Sequence, residues 1–285
     1  MKNNNNNLPD FIGVGAMRCG TTWITDMLRS HPDIFIPAHF KELHFFDRYF
    51  DKGSDWYAAN FSAKKPNQIA GEFTPSYLRD KQALSLIFQT CPSAKLIISI
   101  RNPVKRAFSH YNFLKNGGNI SNSFYDALFD KRYEILEAGL FGNQLQNCLK
   151  YFSRANIHVI IFDDIIDSPE TVTSKLYEFL GVEEDHIPNK LTKKSNAGHK
   201  VKSVFIATRF RKLKQLMRPF IKSREGLIKL GFFKYARALN RMNSDRVVKD
   251  QMDAKAAEYL EQYYKEDLRL LNDLLDGGVS KWLAK

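Results

Sequence analysis

Short apolar runs without polar alternation recur along the chain and predict buried strands. They occur at residues 11–16, 69–72, 96–100 and 157–162. Strands of a parallel sheet are covered on both faces, and their sequences read in this continuous way. The sequence therefore predicts several neighbouring parallel strands rather than an amphipathic, half-exposed sheet.

Segments with apolar residues at helical spacing separate these runs. After the first strand, Ile24, Met27 and Leu28 fall on one helical face, and in residues 80–90 Leu84, Ile87 and Phe88 are expected to point inward. Further helices are predicted at 124–137, 143–153, 169–180 and 253–275. Strands that alternate with helices predict an α/β fold with a central parallel sheet flanked by helices.

Composition is consistent with one large folded domain that spans residues 1–285. The chain has 285 residues, 44% of them hydrophobic, which excludes a wholly disordered protein. The polar residues 1–9, with their Asn run, are expected to form a disordered tail. No apolar run approaches the roughly 20 residues that cross a bilayer, and the start lacks a secretory leader, so a cytoplasmic location is expected.

The first strand leads into a glycine-containing turn that resembles a phosphate-binding loop. Gly15 is followed, after four residues, by Gly20, Thr21 and Thr22. The position of the usual P-loop lysine holds Thr21, so Arg18 is the loop's cation and the bound anion should differ from a nucleoside triphosphate. A strand-to-helix turn without a ligand is the alternative. Cys19 reads better as a small loop residue than as a nucleophile.

A second group of chemically active side chains lies in Lys41–Asp47, KELHFFD. In an extended segment, Glu42, His44 and Phe46 would lie on one side. A carboxylate and an imidazole near a phosphate loop are possible proton acceptors. The alternative is a solvated loop anchored by its two phenylalanines.

A second anion site is predicted where the strand at 96–100 ends. Arg101 follows that strand, Asn102 and Pro103 are typical of a helix start, and Ser109 lies two turns into the helix. The carboxyl ends of parallel strands are where open α/β sheets bind ligands, and an arginine with a hydroxyl suits a phosphate. Taken alone, they could equally be a surface arginine and a helix serine.

The basic charge is concentrated late in the chain. The net charge is +12, and residues 200–241 contain thirteen Lys or Arg against one acid, with apolar residues at near-helical spacing. This predicts a basic helical segment. It could contact an acidic membrane as a peripheral surface, guide a polyanionic acceptor, or be a solvated helical face.

Together these motifs resemble sulfotransferases that use 3′-phosphoadenosine 5′-phosphosulfate (PAPS). The loop Arg18–Trp23 is similar to the family's 5′-phosphosulfate loop, and Arg101 with Ser109 is similar to its 3′-phosphate motif. The KELHFFD segment and Gly71–Leu78, GEFTPSYL, resemble the branch of heparan sulfate sulfotransferases and their bacterial relatives. In this chain Phe73 replaces a lysine often found in that branch. The resemblance implies a P-loop-like three-layer fold.

The resemblance also implies roles for individual residues. Glu42 would be the catalytic base, and His44 would orient it or share its role. Arg18 would stabilise the negative charge that develops when the sulfuryl group is transferred and the 3′,5′-bisphosphate (PAP) leaves. No metal is required. The implied donor contacts are Arg18, Cys19, Gly20, Thr21, Thr22, Trp23 near the adenine, Arg101, Ser109 and, in a late basic loop, Lys194.

The implied acceptor is a hydroxyl or amine of a glycan, a glycolipid or a small molecule, and nucleic acid is not expected as a partner. Two other functions stay open from the residues. A P-loop kinase would need an Mg²⁺ ligand, which Asp163 or Asp164 could supply. A non-catalytic binder of nucleic acid or acidic membrane would use residues 200–241.

Overall fold

The computed structural model describes residues 7–38, 41–188, 191, 199–201, 244–246 and 251–283. Five strands form a parallel sheet in the order β2-β3-β1-β4-β5. They are β1 (Phe11–Gly15), β2 (Ile34–Phe35), β3 (Ile69–Phe73), β4 (Lys95–Ile100) and β5 (Ile157–Ile161). The predicted α/β architecture with a central parallel sheet is confirmed.

The helices in the described part follow the strands in alternation. They are α1 (Thr21–Ser30), α2 (Phe45–Arg48), α3 (Gly53–Ala59), α4 (Lys81–Thr90), α5 (Pro103–Asn116), α6 (Phe124–Leu128), α7 (Phe141–Leu149), α8 (Phe162–Asp167), α9 (Pro169–Leu180) and α10 (Ala254–Leu274). A separate antiparallel pair joins β6 (His199–Val201) to β7 (Ser244–Arg246).

Side chains of the central strands alternate between two cores, one on each face of the sheet. Phe11 and Ile97 pack with α1 and α9, whereas Ile12, Leu96 and Ile98 pack with the layer that contains α4, α5, α7 and α10. This alternation is the period-2 geometry of a strand. It yields three layers, helices above and below one sheet, as the resemblance implied.

Local chemistry explains where several helices begin. The Asp80 side chain accepts from the backbone of Gln82 and Ala83 at the start of α4, and Asn102 caps α5, with Pro103 in its first turn. Gly181, with φ 80°, ends α9 in the left-handed conformation that glycine adopts easily.

Two helix predictions are corrected by the structure. The helix expected over 124–137 ends at Leu128, because Asp130 accepts from the Arg132 backbone in a local turn and Glu134 has φ 48°. Phe88, expected inward, is 39% exposed on α4 and rests edge-on against Phe152. A strand or helix pattern does not reveal such turns.

Some predictions fall on residues outside the described part of the chain. They are the tail at 1–6, Lys194, and the basic segment 200–241 apart from the start of it in β6. No helix in the described ranges is both long and apolar enough to cross a bilayer.

Candidate active site

The glycine loop joins the carboxyl end of β1 to the start of α1. Gly20 has φ 84°, and a Cβ there would lie 2.9 Å from the ring of Phe162. The loop is fastened to β4, since the Ser99 hydroxyl donates to the carbonyl of Cys19 and the Ala16 N–H donates to the carbonyl of Ser99. The first N–H groups of α1 are left for a ligand, because a helix start offers them no partner within the helix.

Cys19 and Trp23 are both buried beside this loop. Burial raises the pKa of the Cys19 thiol to about 12, so the thiol stays protonated and is unsuited to act as a nucleophile. The Trp23 ring is 7% exposed, and its indole N–H donates to the carbonyl of Leu191 at 3.0 Å. The main chain of Cys19 is therefore what a ligand can use, and Trp23 anchors α1 to the segment around 191.

The two predicted anion motifs meet directly. The Nε atom of Arg18 donates to Oγ of Ser109 at 3.3 Å, and its guanidinium lies 4.7 Å from the centre of the Phe113 ring. Arg101 lies with its guanidinium 4.6 Å from the centre of the Phe162 ring. The loop after β1 and the helix after β4 thus form one cationic site at the carboxyl edge of the sheet.

Within the described part of the chain, no carboxylate lies at ion-pair distance from this cationic site. Burial lowers the pKa of Arg18, and the charge of Arg101 lowers it further; burial also lowers the pKa of Arg101, against the opposing charge of Asp163. Arg106, on α5, is 0% exposed and donates to the carbonyl of Ile135. Among the residues that the structure describes, none of these three forms an ion pair within 4 Å, and Nε of Arg101 is buried without a hydrogen-bond partner. Positive charge at buried and half-buried positions is costly unless an anion offsets it.

The predicted proton acceptors are also brought together, but with a different backbone. His44 is left-handed, with φ 54°, and its Nε2 lies 3.2 Å from Oε2 of Glu42. The segment is not extended: Phe46 lies in α2 and is buried in the core, which corrects the expected one-sided arrangement. The turn at His44, rather than strand alternation, pairs it with Glu42.

Asp47 completes a chain of three groups and was not predicted. Its carboxylate oxygens lie 3.1 Å from Nδ1 of His44, and Oδ2 also accepts from the Ser76 hydroxyl at 2.6 Å. The sequence offered one signal, an acid three residues after the histidine, but only the left-handed turn makes the contact possible. His44 therefore lies between two carboxylates.

Charge is shared along this chain. Burial opposes protonation of His44, but hydrogen bonds to Asp47 and Glu42 outweigh it and raise its pKa to about 9. The hydrogen bond from His44 lowers the pKa of Glu42, more than burial raises it. For Asp47, burial is outweighed by the bonds from His44 and Ser76, and its pKa is also lowered. At neutral pH, Glu42 is a carboxylate held by an imidazolium.

One cleft connects Glu42 with the glycine loop. Its described lining consists of Thr21, Thr22, Thr25, Asp26, Arg29, Lys41, Glu42, Phe73 and Pro75. A group held at the start of α1 would therefore face Glu42. Phe73 contributes an apolar wall where the resemblance expects a lysine.

Asp163 and Asp164, the possible Mg²⁺ ligands, face the end of the chain. Asp163 accepts from the indole N–H of Trp282 at 3.3 Å, and Lys281 lies 3.6 Å from the same carboxylate. Within the described ranges, no group of three or more His, Cys, Asp or Glu side chains is arranged to hold a metal ion.

Comparison with known proteins gives a consistent match. A family model described as "Sulfotransferase domain" matches residues 8–272. Heparan sulfate glucosamine 3-O-sulfotransferase 6 of Mus musculus is 32% identical over 181 residues, covering 61% of this chain and 52% of that protein. The membrane-associated sulfotransferase kil1 of Dictyostelium discoideum is 25% identical over 268 residues, covering 61% and 56%. The chain spans about half the length of these curated relatives.

Among solved structures, a sulfotransferase from Alicyclobacillus acidocaldarius superposes with a TM-score of 0.70. The match covers 96% of this chain and 98% of that one, at 23% sequence identity. At this identity, the likeness concerns the fold. It supports the three-layer arrangement around a parallel sheet.

Proposed function

The chain belongs to the sulfotransferase family, and from this premise we propose that it moves a sulfuryl group from PAPS to a hydroxyl or amine of a glycan-type acceptor. The observation that carries the proposal is the group formed by half-buried Arg18 and Arg101 and buried Arg106, none of which forms an ion pair with a described acid, beside a glycine loop whose cleft is also lined by Glu42. A glycolipid or a small hydroxylated molecule belongs to the same acceptor chemistry.

The residues present fit this donor. Arg101 and Ser109 would hold the 3′-phosphate, and the unpartnered Nε of Arg101 is a donor available for it. Arg18, Thr21 and Thr22 would hold the 5′-phosphosulfate at the start of α1. When bound, the donor supplies an activated sulfuryl group whose departure leaves the 3′,5′-bisphosphate.

The chain's own residues then have distinct tasks. Glu42 accepts the proton of the attacking hydroxyl or amine. The imidazolium of His44, held by Asp47, donates to Glu42 and fixes the direction of its carboxylate. Arg18 balances the negative charge that develops on the donor side, a role for which its half-buried guanidinium, without an ion pair among the described residues, suits it.

The acceptor wall favours a glycan that carries little sulfate. Phe73 is buried and lines the cleft close to Glu42, so one cation is missing from the surface that would face the acceptor.

The contact of residues 200–241 with acidic membrane and the cytoplasmic location stay predictions, because the described residues do not bear on them.

Transfer of labelled sulfuryl groups from PAPS tests the proposal. The acceptor panel should contain an unsulfated polysaccharide, a highly sulfated one, a neutral glycolipid and a small alcohol. We expect labelling of an unsulfated or neutral acceptor, with inhibition by added adenosine 3′,5′-bisphosphate. Phosphate transfer from Mg²⁺-ATP instead, or a strict preference for the highly sulfated polymer, would contradict the function or the acceptor class respectively.

A further inference from the structure

A buried carboxylate that takes no direct part in the chemistry lies beneath the active-site segment. Glu72, near the end of β3, is 2% exposed. It accepts three hydroxyl hydrogen bonds, from Tyr57 at 2.9 Å, Thr74 at 2.6 Å and Tyr77 at 3.2 Å. It has no ion pair with a basic side chain in the part of the chain that the structure describes.

Two of these hydroxyls also hold the backbone of the active-site segment. Oγ1 of Thr74 accepts from the N–H of Leu43 at 3.1 Å and of His44 at 3.4 Å. The Tyr77 oxygen accepts from the N–H of Phe46 at 3.4 Å. The stretch between Glu42 and Asp47 is thus attached to the core through oxygens that both donate to Glu72.

The direction of each hydroxyl follows from the carboxylate. A hydroxyl has one proton and two lone pairs, so a hydroxyl that donates to Glu72 keeps its lone pairs for backbone N–H groups. An apolar residue in place of Glu72 would leave the hydroxyl protons free to turn elsewhere. Burial of an acid without a cation costs free energy, which raises the pKa of Glu72 to about 7 against the effect of its hydroxyl donors. The cost of burying Glu72 suggests that this side chain has a function that offsets it.

We propose that Glu72 is a positioning residue for the reaction: through Thr74 and Tyr77 it fixes the left-handed turn at His44 and so the Glu42–His44–Asp47 chain. The effect of Glu72 on turnover rests on the proposed function. Its effect on the backbone turn at His44 does not. Ser76, which lies in the turn between Thr74 and Tyr77, donates to Asp47 and holds the other end of the three-group chain.

The chain offers a set of matched variants. Glu72→Gln replaces one acceptor oxygen by an N–H₂ group that competes for the hydroxyl lone pairs, and Thr74→Val removes one bridge while keeping the side-chain shape. Thr74→Ser retains the hydroxyl. Tyr57→Phe is the control. The Tyr57 hydroxyl donates to Glu72 and its ring stacks 4.3 Å from that of Phe45, but among the described contacts the segment's N–H groups donate to Thr74 and Tyr77 and not to Tyr57.

The first readout is the titration of His44 by proton NMR, with its resonance assigned from a His44→Gln spectrum. In the wild type, Thr74→Ser and Tyr57→Phe, His44 should titrate near pH 9, as its two carboxylate contacts dictate. In Thr74→Val and Glu72→Gln the turn loosens, and the titration should move toward the ordinary value of 6.5. An unchanged titration in folded Thr74→Val and Glu72→Gln overturns the proposal.

The second readout is turnover, with donor affinity and melting temperature measured alongside. We expect kcat to fall by about tenfold or more in Thr74→Val and Glu72→Gln with unchanged affinity for adenosine 3′,5′-bisphosphate, and to recover in Thr74→Ser. Should Tyr57→Phe lose as much turnover as Thr74→Val at an equal melting temperature, the role is structural and the proposal is wrong. A wild type that binds no bisphosphate would refute the proposed function alone, since the His44 titration still decides the positioning role.

Discussion

At the scale of single residues, the site depends on charges that support one another. Glu42 and His44 have opposite pKa shifts because each stabilises the charged form of the other. The charge of Arg101 instead lowers the pKa of Arg18. The pair of Glu42 and His44 is thus charge-balanced within the described residues, whereas an anion would stabilise the two arginines.

Replacing Glu42 should stop turnover without loosening the donor. In Glu42→Gln the amide cannot take a proton, so kcat should fall by about 10²–10⁴-fold, the usual contribution of a general base. Affinity for adenosine 3′,5′-bisphosphate, measured by calorimetry, should be unchanged. Asp51→Asn, at an exposed acid after α2, is the control and should keep wild-type turnover. Normal kcat in Glu42→Gln would remove this residue from the role.

The pH dependence of kcat/KM should report the titration of His44. Its pKa is raised from 6.5 to about 9, so the stabilisation from its ion pairs is complete below pH 6.5 and disappears as pH rises through about 9. The lowered pKa of Glu42 keeps it ionised below its ordinary range. We expect kcat/KM to fall above about pH 9 in the wild type. The same alkaline limb in His44→Gln would assign it to another group.

At the scale of elements, three neighbouring strands bring together the residues of the proposed donor site. The strands β1, β4 and β5 are adjacent in the sheet, and α1, α5 and α8 begin at their carboxyl ends. The ring of Phe162, the first residue of α8, lies next to Gly20 and also contacts the guanidinium of Arg101. Binding at such an edge is general for open α/β sheets.

Alanine substitutions at two glycines can separate the cost of a strained backbone from the cost of a steric clash. Gly20 and Gly181 are both left-handed, with φ 84° and 80°, but an added Cβ meets Phe162 at Gly20 and nothing within 4 Å at Gly181. Gly181→Ala should therefore cost about 1–2 kcal/mol, the cost of the left-handed conformation. Gly20→Ala should cost more and weaken bisphosphate binding. Equal losses in urea unfolding, with equal affinities, would show that the Phe162 contact is unimportant.

The elements could be predicted from the sequence because their signals are local. Strand runs and the Asn102–Pro103 helix start both act within a few residues, and they are confirmed. The helix expected over 124–137 failed because the turn at Asp130 competes with it. Motifs identified Glu42, His44, Arg18 and Arg101 as site residues, and their roles stay predictions.

Other features of the site could not be predicted. Contacts of Asp47, Glu72 and Phe162 depend on a left-handed histidine and on strands that meet from distant parts of the chain. Apart from the acid three residues after His44, nothing in the spacing along the sequence indicates these contacts.

At the scale of the whole molecule, the last described segments brace the layer beneath the site. Asp267 on α10 is buried and accepts from the backbone N–H groups of Gly142 and Asn143 at the start of α7. The Tyr264 hydroxyl donates to the carbonyl of Leu136 at 2.9 Å. Further on, Trp282 reaches Asp163, which belongs to the first turn of α8.

Removing that brace should destabilise the entire domain. Asp267→Ala leaves two backbone donors without partners, which should lower the free energy of unfolding by about 1–3 kcal/mol per buried group. Asp273→Ala, at an exposed acid on the same helix, should change it little. Urea unfolding followed by circular dichroism measures both variants. Equal midpoints would show that Asp267 does not stabilise the domain.

Calorimetry with adenosine 3′,5′-bisphosphate and adenosine 5′-monophosphate tests the assignment of the donor site most directly. We expect the wild type to prefer the bisphosphate, and Arg101→Ala to lose that preference by about tenfold or more, since a hydrogen bond to a charged group contributes about 1.5–3 kcal/mol. Arg132→Ala, at an exposed arginine paired with Asp130, should keep it. No binding by the wild type, or equal preference in Arg101→Ala, would contradict the account.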